Sequence, residues 1–175
     1  MIIGARLAAG TQRAREIFTR RPSAGLVTAQ AIACLTGEGA QTTVRMGSHS
    51  LIADAPIALG GDGTGPTPGD LVRGALAACL AMNYAMHAPQ FGVELHQVEV
   101  TAETDIDLGP AVGVPGEQPP GFSGVRFTTM LITDAPEVRV RELAAYAERL
   151  SPTLDDLQRA LPVAGRLVIR PPVVG

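Results

Sequence analysis

The chain contains no tryptophan and no lysine, and only 3% of its residues are aromatic. Without large rings, a core has to be built from Ala, Val, Leu and Ile, which supply most of the 46% apolar content. The cations are all arginine, 14 against 17 acidic residues, and they are scattered along the chain. A net charge of −3 with no basic cluster argues against a nucleic-acid partner or an anionic membrane surface. The only two cysteines, Cys34 and Cys79, are too few for a secreted disulfide framework. No apolar run reaches the roughly 18 residues of a membrane span. The start, Met-Ile-Ile-Gly-Ala-Arg, soon becomes a charged amphipathic segment, so no signal peptide and a cytoplasmic location are expected. His49, His87 and His96 have no metal-ligand spacing with one another or with either cysteine. The glycine-rich residues 60–66 lack the Gly-Lys-Ser/Thr of a phosphate loop and read as a turn. No metal or cofactor is expected.

The most informative stretch is Gly65-Pro-Thr-Pro-Gly-Asp-Leu-Val-Arg-Gly-Ala-Leu-Ala-Ala-Cys79. Thr67 can cap a helix, Pro68 suits its first turn, and Asp70 is spaced to complete a capping box. Leu71, Val72, Ala75, Leu76, Ala77, Ala78, Leu80, Ala81 and Met82 make the helix apolar around most of its circumference, so it is central. One small sheet cannot cover such a helix, and an intimate homodimer is expected. Cys79 within it is either a small buried hydrophobe or a reactive thiol. It lies about three turns from the helix start, too far for that end to lower its pKa.

Around this helix, residues 5–20 read as an amphipathic helix ended by Arg20-Arg21-Pro22. Residues 26–35 are small and β-tolerant, and Cys34 falls on the opposite parity from Ala31, Ala33 and Leu35. Thr42–Met46 and His49–Ala53 read as strands around Gly47-Ser48, after which residues 54–66 form a Gly-rich loop. From Val98 to Leu108, apolar and acidic residues alternate, predicting a strand with one buried and one solvated face. Its partner is residues 123–133, across a Gly/Pro-dense loop at 109–121. Helices follow at 136–150 and 152–160, and residues 166–170 are expected to close as a strand. The fold class is α+β, with antiparallel sheets around a long buried helix.

Asp54-Ala-Pro56, Leu59-Gly-Gly61, Gly65-Pro-Thr-Pro68, Leu71 through Ala77-Ala-Cys79, Gly92 and Val98-Glu-Val100 resemble the OsmC/Ohr family. The resemblance is strong over about residues 54–100 and looser over about 40–172. It implies an N-terminal amphipathic helix at 1–25 outside the match, and a single OsmC-like domain at 26–175. The family's fold is an intertwined α+β homodimer with paired central helices under antiparallel sheets. Its best-known members are stress-defence thiol peroxidases that reduce organic hydroperoxides. They use a reactive cysteine, a second resolving cysteine and an Arg/Glu pair.

Cys79 matches the reactive cysteine. The second cysteine, which precedes a proline at a late helix start, is Ser151-Pro152 here, and the Glu position is Gly69. Asp70, next to Gly69, has its own capping role, and Arg45 is the nearest counterpart of the family's arginine. The catalytic candidates are therefore Cys79, Arg45 and Asp70, with Cys34 read as packing. Two readings follow from the resemblance. In one, Cys79 reduces an organic hydroperoxide in a one-cysteine cycle completed by an external thiol reductant. In the other, the catalytic set has decayed and the dimer binds an apolar small molecule or lipid.

Overall fold

The computed structural model describes residues 3–171. An N-terminal helix, α1 (Ala5–Arg20), leads through a short turn to a meander of β1 (Ala31–Leu35), β2 (Thr42–Met46) and β3 (His49–Ala53). The long helix α2 (Pro68–His87) follows, then β4 (Gln97–Ile106), the single turn α3 (Leu108–Ala111) and β5 (Phe122–Ile132). Helices α4 (Glu137–Arg149) and α5 (Pro152–Gln158) come last. The two sheets are separate, ordered β1-β2-β3 and β4-β5, and every pairing is antiparallel.

The start of α2 is built as the sequence predicts. Thr67 Oγ1 accepts the Asp70 N–H at 3.1 Å while Asp70 accepts the Thr67 N–H at 2.9 Å, which satisfies two helix-end donors reciprocally. Leu76, Leu80 and Tyr84 then run down one side of α2 into the core, with Val93, Leu95, Leu143 and Ala147. Val98, Val100 and Ala102, on the inner face of β4, pack against this cluster with Phe127 and Leu131 of β5. The opposite face of β4 stays wet, and Arg126 pairs there with Glu103 and Asp105.

The loop ahead of α2 is stapled by a buried carboxylate. Asp54, 2% exposed, accepts backbone N–H groups from Ala55, Asp62 and Thr64 at 2.8–3.2 Å, and the Thr64 hydroxyl as well. The Thr64 N–H leads the hydrogen bonds that hold this carboxyl below its ordinary pKa, against the opposing effect of burial. Glycine is required here by close approach. A Cβ on Gly61 would lie 2.0 Å from the Ala55 carbonyl oxygen, and one on Gly65 would lie 2.2 Å from that of Ile52.

Two expectations need correction. Residues 166–170 form no strand; no sheet edge pairs with them, and Leu167 and Ile169 are 84% and 85% exposed. Leu108 does not continue β4, because the ladder shifts register between Asp105 and Ile106 and the chain turns into α3. His87, in the last turn of α2, is buried against the Tyr146 ring with Nδ1 beside Gln90, and burial lowers its pKa.

One side of the molecule lacks cover. Among the described residues, the face of the meander that carries Ala33, Leu35, Val44, Met46 and Leu51 is largely uncovered, with Leu35 and Met46 54% and 40% exposed. On α2, Val72, Ala75, Ala78 and Met82 are likewise exposed.

Candidate functional site

Cys79 sits about three turns into α2, on the side that meets α5. Its Sγ lies 3.3 Å from Ser151 Oγ, and the Asn83 amide, one turn along the helix, points its Nδ2 at the sulfur from 3.5 Å. That amide is anchored by donating to the Cys79 carbonyl at 3.0 Å. Thr153 contributes its hydroxyl and its backbone N–H. Burial pushes the thiol pKa up, but hydrogen bonds from Ser151, Thr153 and Asn83 outweigh it, and the net pKa lies below the ordinary thiol value. All these donors are neutral. The thiolate is favoured by converging dipoles and not by an adjacent cation.

Local sequence explains why Ser151 is there. It caps α5, its Oγ accepting the Leu154 N–H at 3.4 Å, and Pro152 occupies the first helical position. The side chain is 1% exposed, so it has no solvent alternative. Because Oγ already accepts from Leu154, its own proton is free to point at the sulfur. A thiolate, having no proton to give, receives that bond.

The other sequence candidates lie elsewhere. Asp70 is nine residues before Cys79, about 13 Å along the axis and on the opposite face of α2. Its carboxylate serves the capping box and also pairs with Arg73; the Thr67 hydroxyl, the Thr67 N–H and Arg73 hold its pKa down to about 2. Arg45 stands on β2 between Ile32 and Ser50, exposed, on the more polar face of the meander. Cys34 shares that face in register with Thr43 and Ile52, and is exposed, not packed. Within one chain, Cys79 is therefore joined by Ser151, Thr153 and Asn83, and not by Arg45, Asp70 or Cys34. Asn83 was legible as a neighbour from helical spacing. Ser151 and Thr153 approach from 72 residues away, and only the family's second-cysteine position pointed to Ser151.

Among the described residues, no cluster of His, Cys, Asp or Glu could hold a metal ion, and no helix is long and apolar enough to cross a membrane. A cavity of about 700 Å3 opens at the other end of α2, and Cys79 does not line it.

A long capped helix with a donor-ringed cysteine, packed between an antiparallel sheet and two late helices, defines the class. The family model for OsmC-like proteins matches residues 61–164, and the chain belongs to that family. Solved structures agree on the fold. An OsmC-like protein from Mycoplasma pneumoniae is 16% identical, with 75% of this chain and 88% of that one covered at a TM-score of 0.64. An organic hydroperoxide resistance protein OsmC from Legionella pneumophila is 21% identical, with 77% and 91% covered at a TM-score of 0.55. An OsmC-like protein of unknown function from Vibrio cholerae is 9% identical, with 76% and 95% covered at a TM-score of 0.60. No curated protein matches the sequence.

Proposed function

We propose that this protein is a one-cysteine organic hydroperoxide reductase that works as a homodimer and draws on an external thiol. The observation that carries the reading is the ring of neutral donors around Cys79 Sγ, with Ser151 Oγ 3.3 Å away. The Cys79 thiolate attacks the terminal peroxide oxygen, the O–O bond breaks, and the alkoxide leaves to be protonated to an alcohol. The sulfur, oxidised by two electrons, is a sulfenic acid. Ser151 cannot condense with it, so an external thiol does, releasing water and leaving a mixed disulfide. A second equivalent of thiol then frees Cys79 and departs as the external disulfide. One hydroperoxide and two thiols yield one alcohol, one disulfide and one water.

The uncovered apolar surfaces support a dimer. The meander face and the exposed stripe of α2 need a matching face, and a second copy of the chain offers both. Residues 160–171, with Val163, Leu167 and Ile169 bare, can gain strand partners from that copy. The test is consumption of cumene hydroperoxide by wild type and Cys79→Ser, with dithiothreitol and then dihydrolipoamide as reductant. Light scattering on the same samples gives the oligomeric state. Turnover lost in Cys79→Ser supports the reading. Equal turnover in both proteins, or none in a folded wild type, removes it.

A further inference from the structure

Ser151 reaches Cys79 because the corner between α4 and α5 is held at a fixed height against α2, and one residue ties that corner from two sides. The Glu148 carboxylate accepts the Tyr84 hydroxyl at 2.7 Å, and the Glu148 backbone carbonyl accepts the Ser151 N–H at 3.1 Å. Among the described residues, Tyr84–Glu148 is the only side-chain hydrogen bond between α2 and α4. Leu143 and Ala147 of α4 otherwise share the apolar core with Leu76 and Leu80, an attraction with no direction to set a register.

Tyr84 is well placed for this task. It is 1% exposed, so its hydroxyl depends on a protein partner. Burial pushes the phenol pKa up, and the Glu148 carboxylate adds to the effect, so the group remains a donor. Cys79 and Tyr84 stand on the same helix, five residues apart and about 7.5 Å along its axis. The contacts close a ring, from Cys79 to Ser151, Ser151 to Glu148, Glu148 to Tyr84, and back along α2 to Cys79. A shift of the corner by about 1 Å would take Ser151 Oγ out of hydrogen-bond reach of the sulfur.

We propose that Tyr84 and Glu148 are positioning residues for the Cys79 thiolate, holding Ser151 against the sulfur through the α4–α5 corner. These roles rest on the reading of Cys79 as the working thiol, but their test uses no hydroperoxide. The clamp can therefore stand where peroxide turnover fails, and fail where turnover stands. In a Cys34→Ser background, the rate of Cys79 alkylation by iodoacetamide is followed across about pH 6–10, the span of a thiol titration. Tyr84→Phe keeps the ring and removes the bond. The midpoint of its profile should rise by about 0.5–1 pH unit, the upper value being full loss of the Ser151 contact. Glu148→Ala should raise the midpoint likewise, with the Thr129 hydroxyl at hand to partner the phenol. The sign matters, because removing a negative charge would by itself lower a thiol pKa. Glu148→Gln keeps an acceptor oxygen for the phenol and should hold the midpoint near wild type. In Ser151→Ala, where only the Thr153 contacts are left to move, Tyr84→Phe should add less than half of its shift. An unmoved midpoint in the folded variants, a lowered midpoint in Glu148→Ala, or the same shift with and without Ser151 would overturn the proposal. Circular dichroism melts establish folding, and the half-buried Glu148 carries the test if Tyr84→Phe does not fold.

Discussion

Replacing Ser151 by alanine removes one hydroxyl from the donor ring around Cys79 and leaves the Thr153 and Asn83 contacts in place. A hydrogen bond to a charged group contributes about 1.5–3 kcal/mol. The lower end applies here, because Cys79 is only partly buried and water can take over some of the donation. A loss of about 1.4 kcal/mol shifts the thiol–thiolate balance about tenfold toward the thiol. The thiolate that remains is more basic and intrinsically more nucleophilic, which recovers roughly threefold. Alkylation of Cys79 by iodoacetamide at pH 7 should therefore slow by about threefold, and the difference should vanish or invert at alkaline pH. The assay needs a Cys34→Ser background, since Cys34 is exposed and would also react. Ser151→Ala also costs the α5 cap about 1 kcal/mol. Asn83→Leu is the companion variant, weakening the same ring without touching that cap. An unchanged or faster rate at pH 7 in both folded variants would refute the claim that these donors activate the thiol.

Ser151→Cys should form a disulfide with Cys79 on mild oxidation, since the two side-chain tips already touch. Closing a loop that spans 72 residues should add about 4 kcal/mol, seen as a melting temperature that falls on adding reductant. Asp54→Asn should lower stability at neutral pH and flatten its acid dependence. Wild-type Asp54 has a depressed folded-state pKa, so its contribution is present above the ordinary carboxylate pKa near 4 and fades as pH falls through the folded value. Urea melts across pH 2–7 compare the two proteins (a rough range set by the same carboxylate pKa), and parallel curves would contradict this role. Leu80→Ala, at a fully buried core position, should cost about 2–5 kcal/mol in the same melts. A cost below about 1 kcal/mol would mean that α2 is not the centre of the core.

Local signals carried most of the fold. The Thr67–Asp70 capping box, the Gly47-Ser48 turn and the period-two alternation from Val98 each need only neighbours in sequence, and each appears where expected. The residues 166–170 share the strand pattern, but a strand also needs an edge to pair with, and one chain provides none there. The enclosure of His87, at the end of α2, by Tyr146 and Gln90 is a tertiary effect with no local trace. The site divides in the same way. Asn83 lies four residues after Cys79, a spacing that brings the two together on one face of a helix. The approach of Ser151 and Thr153 depends on how α4 and α5 fold back onto α2, which no window of sequence contains. Arg45 and Asp70 drew attention by residue type, yet their partners in the fold are a sheet neighbour and a helix cap.

The central claim is that Cys79 itself takes oxygen from a hydroperoxide. The most direct test treats the reduced protein with one equivalent of cumene hydroperoxide in the presence of dimedone, followed by peptide mass spectrometry. The account predicts a dimedone adduct on the Cys79 peptide, formed faster than on the Cys34 peptide and slowed in Ser151→Ala. Labelling confined to Cys34, or no labelling while peroxide persists, would contradict it.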